Sequence, residues 1–177
     1  MQFPHLKPIF SIMKKNADIT IWGIEEISRR ISMGPSDFNI VSIRSSNMFP
    51  DEYDAFEKYR KNYKDIIVEH FDDIRAPEEG WIVPAKEHVQ RILDWSIDRK
   101  NIAVHCTAGI SRSSAIAYLI ACQRCPPKEA LEVLDPMMHF PNRLIIRLGA
   151  EVMEDESVIN EYNKWYEEEY RLFYVKS

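Results

Sequence analysis

The residues of this sequence best suited to chemistry are a cysteine and an arginine that lie six positions apart. Residues 104–114 read VHCTAGISRSS, so that Cys106 ends an apolar run and Arg112 opens a helical stretch. The five positions between them are Thr107, Ala108, Gly109, Ile110 and Ser111. When a strand passes through small residues directly into a helix, several backbone N–H groups and the positive end of the helix dipole point at one place. Such a place binds an oxyanion.

The chemistry that follows from this arrangement is nucleophilic. The amide groups and Arg112 favour the thiolate form of Cys106, which attacks electrophiles at neutral pH. Arg112 carries a planar fork of donors that holds two phosphate oxygens at once, a geometry that lysine lacks. Gly109 supplies the backbone freedom that a tight loop needs. The stretch from Thr107 to Arg112 is therefore predicted to bind phosphate beside a nucleophilic sulfur.

Cys106 and Arg112, taken singly, also have ordinary interpretations. A cysteine at a strand end is commonly a small buried hydrophobe, and an arginine at a helix start is commonly a solvated charge. The ordered set of an apolar strand, His105, Cys106, a five-residue loop, Arg112 and Ser113 is more specific. It resembles the signature of the cysteine-based protein tyrosine phosphatase superfamily, in its dual-specificity branch.

The resemblance to this superfamily assigns a role to each residue of the signature. It implies that Cys106 takes up the phosphoryl group, and that Arg112 binds the phosphate and the transition state. It also implies that His105 helps to set the ionisation of the thiol. The hydroxyl of Ser113 would assist the breakdown of the phosphocysteine.

A proton donor is also required, because an alkoxide or phenolate leaves a phosphate ester slowly without one. Asp72 and Asp73 follow a predicted strand upstream of Cys106, and this order resembles the general-acid loop of the dual-specificity branch. We predict that Asp73 is the acid. Asp72 is the alternative acid, or else it caps the strand end or bonds the turn.

Periodicity predicts an alternation of strands and helices in the first two thirds of the chain. The predicted strands are 19–24, 39–43, 63–71 and 101–106. The predicted helices are 25–31, 51–61, 84–99 and 113–123, followed by helical pieces at 127–135, 141–153 and 156–173. The stretch at 113–123 is apolar nearly all round, which predicts a helix in the middle of the domain.

This order predicts an α/β fold with a central, mainly parallel four- or five-stranded sheet flanked by helices, as in protein tyrosine phosphatases. We expect residues 1–18 to form an N-terminal arm and residues 19–177 to form a single phosphatase-like catalytic domain. The chain of 177 residues is 45% hydrophobic, which is enough for one core.

Composition excludes several classes of protein. The formal net charge of -5 argues against a broad basic surface for nucleic acid. Three cysteines are too few for a disulfide framework, and no stretch has the length and apolarity of a membrane span. We therefore expect a cytoplasmic protein without cofactor or metal. The CxxC formed by Cys122 and Cys125 ends an apolar helix and is assigned to core packing.

The predicted substrate is a phosphorylated protein or a small phosphoester. The loop TAGIS contains no lysine, which lowers the weight of a phosphoinositide substrate. Inositol phosphates, nucleotides and RNA 5′ ends remain as alternative substrates. A pseudophosphatase that binds phosphate without hydrolysis is the alternative from another class, and the oligomeric state stays open.

Three further features each have two interpretations. Asn142 either braces the active-site loop or caps the helix that follows Pro141. Arg44 either borders the pocket or is an ordinary surface arginine. The aromatic stretch 159–175 either packs on the domain or binds a partner.

Overall fold

The computed structural model describes the backbone of residues 16–174 and the side chains of residues 16–169. The strands of this part of the chain are β1 (Ile19–Gly23), β2 (Asn39–Arg44), β3 (Asp65–His70) and β4 (Ile102–Cys106). Its α-helices are α1 (Ile24–Ser32), α2 (Asp54–Lys58), α3 (Lys86–Ser96), α4 (Arg112–Cys122), α5 (Pro127–Ala130), α6 (Arg143–Met153) and α7 (Ser157–Tyr174).

The four strands form one sheet in the order β1-β4-β2-β3, and every neighbouring pair is parallel. The central strands β2 and β4 are buried along almost their whole length, as expected of apolar strands covered on both faces. The predicted α/β fold with a mainly parallel sheet is therefore confirmed, with four strands. Because all strands run the same way, the loops after their carboxyl ends lie at one edge of the sheet.

Helices cover both faces of this sheet. On one face α1 and α2 bury Ile27, Ile31 and Phe56 with Ile40 and Ala103 of the sheet. The opposite face carries a larger core, to which α3, α4, α6 and α7 contribute. Every residue of α4 from Arg112 to Ala121 is buried, so the predicted central helix is confirmed.

The predicted helix over 51–61 is wrong in extent. The chain forms a 3₁₀ helix at Pro50–Tyr53, then α2, then a 3₁₀ helix at Arg60–Asn62. A side-chain contact lies at this break: the hydroxyl of Tyr63 donates to the carbonyl oxygen of Phe56 at 2.8 Å.

The last third is helical, as predicted, with one change. The piece expected at 127–135 divides into α5 and a 3₁₀ helix at Leu131–Val133. Helix α7 packs on the domain through the buried Val158 and Tyr162, which favours packing for the described part of the aromatic stretch. The side chains of Tyr170 and Phe173, also placed on this face from the sequence, lie outside the described residues.

The predicted N-terminal arm ends in contact with the domain. The amide of Asn16 donates to Cys125 Sγ at 3.3 Å, and Arg124 forms an ion pair with Asp18 at 2.8 Å. The rest of the predicted arm, residues 1–15, lies outside the described residues. None of the helices within residues 16–174 combines the length and the apolar composition that crossing a membrane requires.

Candidate active site

The loop that joins β4 to α4 lies at the carboxyl edge of the sheet, against the end of β1. Cys106 pairs with Gly23 in the parallel ladder, and Ile24 N donates to the carbonyl oxygen of Thr107 at 3.1 Å. Gly109 has φ +75°, and a Cβ there would lie 2.6 Å from Gly23 N. Glycine is therefore required at this position both for its backbone conformation and for the close approach of β1.

Cys106 lies at the base of this loop. The residue is 3% exposed, whereas Thr107, Ala108 and Ile110 above it are exposed. Its sulfur lies 3.2 Å from the hydroxyl oxygen of Ser113, in the first turn of α4. A reacting group must therefore reach the sulfur through the loop.

Arg112 joins three of the strand-end loops. Its Nη1 donates to Ser45 Oγ at 2.8 Å and to the carbonyl oxygen of Phe71 at 2.9 Å, and its Nη2 donates to Thr107 Oγ1 at 3.0 Å. These bonds hold the guanidinium in one position. Its Nε is buried and has no hydrogen-bond partner among the described residues. A buried donor without an acceptor is costly, and an oxyanion beside the loop would satisfy it.

His105 is a buried, neutral member of the site. Its Nε2 lies 2.8 Å from Ser42 Oγ, and its ring stacks on Phe56 with centroids 4.9 Å apart. Arg44 Nε donates to the same Ser42 oxygen at 3.2 Å. The carbonyl oxygen of Cys106, which can only accept, faces Nδ1 at 3.4 Å, and this favours a ring proton on Nδ1 and a hydrogen bond from the Ser42 hydroxyl to Nε2. Burial lowers the pKa of His105 to about 3.

The buried His105 makes stability depend on pH. Its folded pKa of about 3 lies below the unfolded value of about 6.5, so between these values the unfolded chain binds one more proton. We expect this group to lower the free energy of unfolding by about 1.4 kcal/mol per pH unit as the pH falls from 6.5 towards 3. Urea unfolding at several pH values measures the slope.

The His105 contribution can be isolated by difference. Burial also lowers the pKa values of His88 and His139, which add to the same slope. A His105→Gln variant keeps those two groups and should show a shallower slope than the wild type. An unchanged slope would show that His105 does not titrate in this way.

Asp72 and Asp73 have opposite environments. Asp72 is fully buried, and its carboxylate accepts hydrogen bonds from Ser46 N, Ser46 Oγ and Ile82 N at 2.6–2.9 Å. Burial alone would raise the pKa of Asp72, but the hydrogen bonds from Ser46 and Ile82 outweigh it and hold the pKa below its ordinary value. Asp72 thus ties the end of β3 to the loop after β2.

Asp73 is exposed at the rim of the loop. Its Oδ1 accepts hydrogen bonds from Ser111 Oγ and Asn142 Nδ2, both at 2.8 Å, so one oxygen of the carboxyl group is fixed beside the phosphate-binding loop. Asn142 caps α6, one of the two functions considered for it, because its Oδ1 accepts from Leu144 N and Ile145 N. Its side chain holds Asp73, whereas it contacts the phosphate-binding loop through its backbone, where Asn142 N donates to the carbonyl oxygen of Ser111 at 3.3 Å.

Sequence reasoning missed Ser42 and Ser45, and it left two interpretations open for Arg44. Arg44 is half-buried with its guanidinium 4.3 Å from the centre of the Tyr53 ring, so it is not an ordinary surface arginine. It also lines a shallow cleft with Ser45 and His70. The one available signal was Ser42, a polar residue within the apolar run of β2. The strand register places it beside β4.

The CxxC pair lies away from this site, in the core. Cys125 is buried, and burial raises the pKa of the Cys122 thiol to about 12, which makes it a poor nucleophile and a poor metal ligand. Among residues 16–169, no group of three or more histidine, cysteine or acidic side chains is arranged to hold a metal ion.

The chain is similar to known phosphatases over part of its length. The chain is 35% identical over 92 residues to dual specificity protein phosphatase 4 of Homo sapiens, and equally to those of Rattus norvegicus and Mus musculus. The alignment covers 47% of this chain and 22% of each relative, so the chain spans under a quarter of the length of the curated relatives it matches. No model of a known protein family matches the chain.

A solved structure shares the fold. It is described as the crystal structure of Tk-PTP in the active form, and it superposes with a TM-score of 0.52 at 18% identity over 77% of this chain and 90% of that one. At this identity the match speaks for the fold alone. The signature around Cys106 and the partial match to the curated relatives make this chain similar to the dual-specificity branch of the cysteine-based protein tyrosine phosphatase superfamily.

Proposed function

We propose that this protein is a phosphomonoester hydrolase that works through a phosphocysteine at Cys106. The observation that carries the proposal is the state of Arg112. Its guanidinium is held by loops from three strands beside the nucleophile, while its buried Nε lacks an acceptor. A phosphate group bound in the loop from Thr107 to Ser111 would supply that acceptor and lie next to the sulfur.

The first chemical step transfers the phosphoryl group to sulfur. The Cys106 thiolate attacks phosphorus, the bond from phosphorus to the ester oxygen breaks, and that oxygen takes a proton from Asp73. Arg112 and the loop amides stabilise the charge on the equatorial phosphate oxygens. The position of Asp73 supports this role, because Ser111 and Asn142 fix its Oδ1 and leave Oδ2 without a partner among the described residues.

The second step returns the enzyme to its starting state. Water attacks the phosphocysteine, Asp73 as a carboxylate accepts the proton, and inorganic phosphate leaves. The Ser113 hydroxyl, 3.2 Å from the sulfur, donates a hydrogen bond to the departing thiolate. His105 contributes as a neutral positioning residue behind the loop rather than as an acid or base, because its pKa is about 3.

We assign phosphorylated protein, with phosphotyrosine among its targets, as the preferred substrate class. The names of the matched relatives and the absence of lysine from the loop support this class over inositol phosphates and nucleotides. We also propose that residues 19–177 act as one catalytic domain in the cytoplasm. A reducing compartment would keep the sulfur of Cys106 in its reduced state.

Hydrolysis of 4-nitrophenyl phosphate tests the proposed function. We expect the purified protein to release nitrophenolate at a rate that chelation with EDTA leaves unchanged, because no step requires a metal ion. Inorganic phosphate should inhibit competitively, because it occupies the loop. A folded protein that binds a phosphotyrosine peptide tightly and releases no phosphate would instead be a phosphate-binding pseudophosphatase.

A further inference from the structure

A groove beside the phosphate-binding loop combines exposed apolar side chains with carboxylates. We call it the side groove; among its lining residues are Glu25, Glu26, Glu52, Ile110, Met137 and Met138. It continues directly from the loop, because Thr107, Ala108 and Gly109 line it as well. A substrate whose phosphate is bound in the loop can therefore place its neighbouring groups in this groove.

The apolar part of the side groove is unusually exposed. Met137 is 65% exposed, Met138 62% and Ile110 42%. Contiguous apolar surface of this kind marks a binding site, and methionine side chains adapt to varied apolar partners. These three side chains remain largely exposed and contribute little to the core. Folding of the described domain therefore does not explain why they are apolar.

The turn that carries the two methionines is held in a fixed conformation. Met137 N donates to Asp135 Oδ1 at 2.9 Å, and Asp135 N donates to His139 Nδ1 at 2.8 Å. Phe140 N donates to the carbonyl oxygen of Ile110 at 3.0 Å, which attaches the turn to the phosphate-binding loop. The methionines are thus presented at a fixed distance from the loop, which lowers the entropic cost of binding a partner.

The carboxylates of the side groove have no cationic partner in the described part of the chain. There Glu26 accepts a hydrogen bond from Gly23 N and Glu52 accepts one from Phe49 N, and neutral amides leave the negative charge in place. None of Glu25, Glu26 and Glu52 forms an ion pair within residues 16–169. Glu25 and Glu26 also favour the N-terminus of α1 electrostatically, and Glu52 caps the 3₁₀ helix at Pro50–Tyr53 in the same way, but all three side chains stay exposed to the groove.

We infer that the side groove binds the polypeptide segment that flanks the phosphorylated residue, and that it selects a leucine-like or aromatic residue together with a lysine or arginine. This inference rests on the proposed function. Charge complementarity selects the occupant, because three uncompensated carboxylates attract a basic side chain and repel a second phosphate. The same charge disfavours nucleotides, inositol polyphosphates and 5′-phosphorylated RNA.

Matched phosphotyrosine peptides test the inference. One peptide carries leucine and lysine on both sides of the phosphotyrosine, the second replaces the leucines with serine, and the third replaces the lysines with glutamate. We expect kcat/KM for the first to exceed that for the second by roughly tenfold and that for the third by about three- to tenfold, as for one apolar contact and one exposed charge pair. Hydrolysis of 4-nitrophenyl phosphate is measured in parallel.

Two double variants assign the preference to the side groove. Met137→Ser with Met138→Ser should remove most of the preference for leucine, and Glu25→Gln with Glu52→Gln should remove most of the preference for lysine. The glutamine side chains keep the oxygen that accepts from Phe49 N. All four positions are exposed, and circular dichroism with thermal unfolding checks that the variants fold.

The controls use the same substitutions at exposed positions elsewhere. Met33→Ser, at the end of α1, and Glu151→Gln, on α6, should leave both preferences and the rate on 4-nitrophenyl phosphate unchanged. If the wild type hydrolyses 4-nitrophenyl phosphate but treats the three peptides alike, the inference is wrong and the proposed function stands.

Three further outcomes would contradict the inference. If the wild type is folded and hydrolyses neither substrate, the proposed function fails and the inference fails with it. A preference that survives both double variants would place recognition elsewhere and overturn the inference. Groove variants that hydrolyse 4-nitrophenyl phosphate faster than the wild type would indicate that part of the chain itself occupies the groove, which also overturns it.

Discussion

Replacing Cys106 with serine is expected to lower kcat for 4-nitrophenyl phosphate by at least about 10⁴-fold, while the affinity for phosphate changes little. A serine hydroxyl is far less acidic than a thiol, so the same loop cannot hold it as an anion at neutral pH. Arg112 and its partners Ser45, Phe71 and Thr107 are untouched by the change, so the binding loop persists. Steady-state kinetics and a phosphate-binding isotherm measure the two quantities.

The chain supplies a matched control in Cys122, which lies at the end of α4. Burial holds its thiol pKa at about 12, so Cys122→Ser should leave kcat unchanged. Acid quenching during turnover should trap a phosphorylated peptide that contains Cys106 in the wild type and in Cys122→Ser. Activity that survives Cys106→Ser, or a phosphate adduct on another residue, would contradict the proposed mechanism.

The positions of Cys106 and Arg112 were predictable because the whole loop is contiguous in the sequence. A buried strand, a small-residue turn and an apolar helix leave few ways to fold, and the strand end and helix start then fall at fixed positions. Gly109 was predictable for its backbone freedom. The close approach of Gly23 was not, because it depends on which strand lies next to β4.

The groups that hold Arg112 were hidden from the sequence for the same reason. Ser45 follows β2 and Phe71 follows β3, and both reach the guanidinium only because the strand order β1-β4-β2-β3 gathers these ends at one edge. Periodicity predicts strands but not their order. Periodicity also overestimated the helix predicted at 51–61, where the chain passes between 3₁₀ and α turns.

The sequence alone does not distinguish the environments of two adjacent acidic residues, because these depend on the groups that surround each side chain. Asp72 and Asp73 lie next to each other just after β3. Asp72 turns inward to Ser46 and Ile82, and Asp73 turns outward to the rim. The sequence identified the pair, and the contacts give each member a different environment.

This difference in environment predicts different consequences for the two substitutions. Asp73→Asn should lower kcat by about 10²- to 10⁴-fold for an alkyl phosphate, whose leaving group needs a proton, and far less for 4-nitrophenyl phosphate, whose leaving group does not. Asparagine keeps the acceptor for Ser111 and Asn142, so the loop geometry is preserved. Rates over a series of leaving groups, and the loss of the basic limb of the kcat–pH profile, measure the effect.

Asp72→Asn should act on stability instead. Its buried carboxylate accepts three hydrogen bonds, and an amide group would turn a donor towards the donors of Ser46 and Ile82, which costs about 1–3 kcal/mol. The folded pKa of Asp72 lies below its unfolded value of about 3.9. The stabilisation by the ionised Asp72 carboxylate is therefore present above that pH and disappears as the pH falls further. The dependence of kcat on the leaving group should stay that of the wild type. If Asp72→Asn changes this dependence and Asp73→Asn does not, Asp72 is the proton donor and the bonds from Ser111 and Asn142 only support the loop.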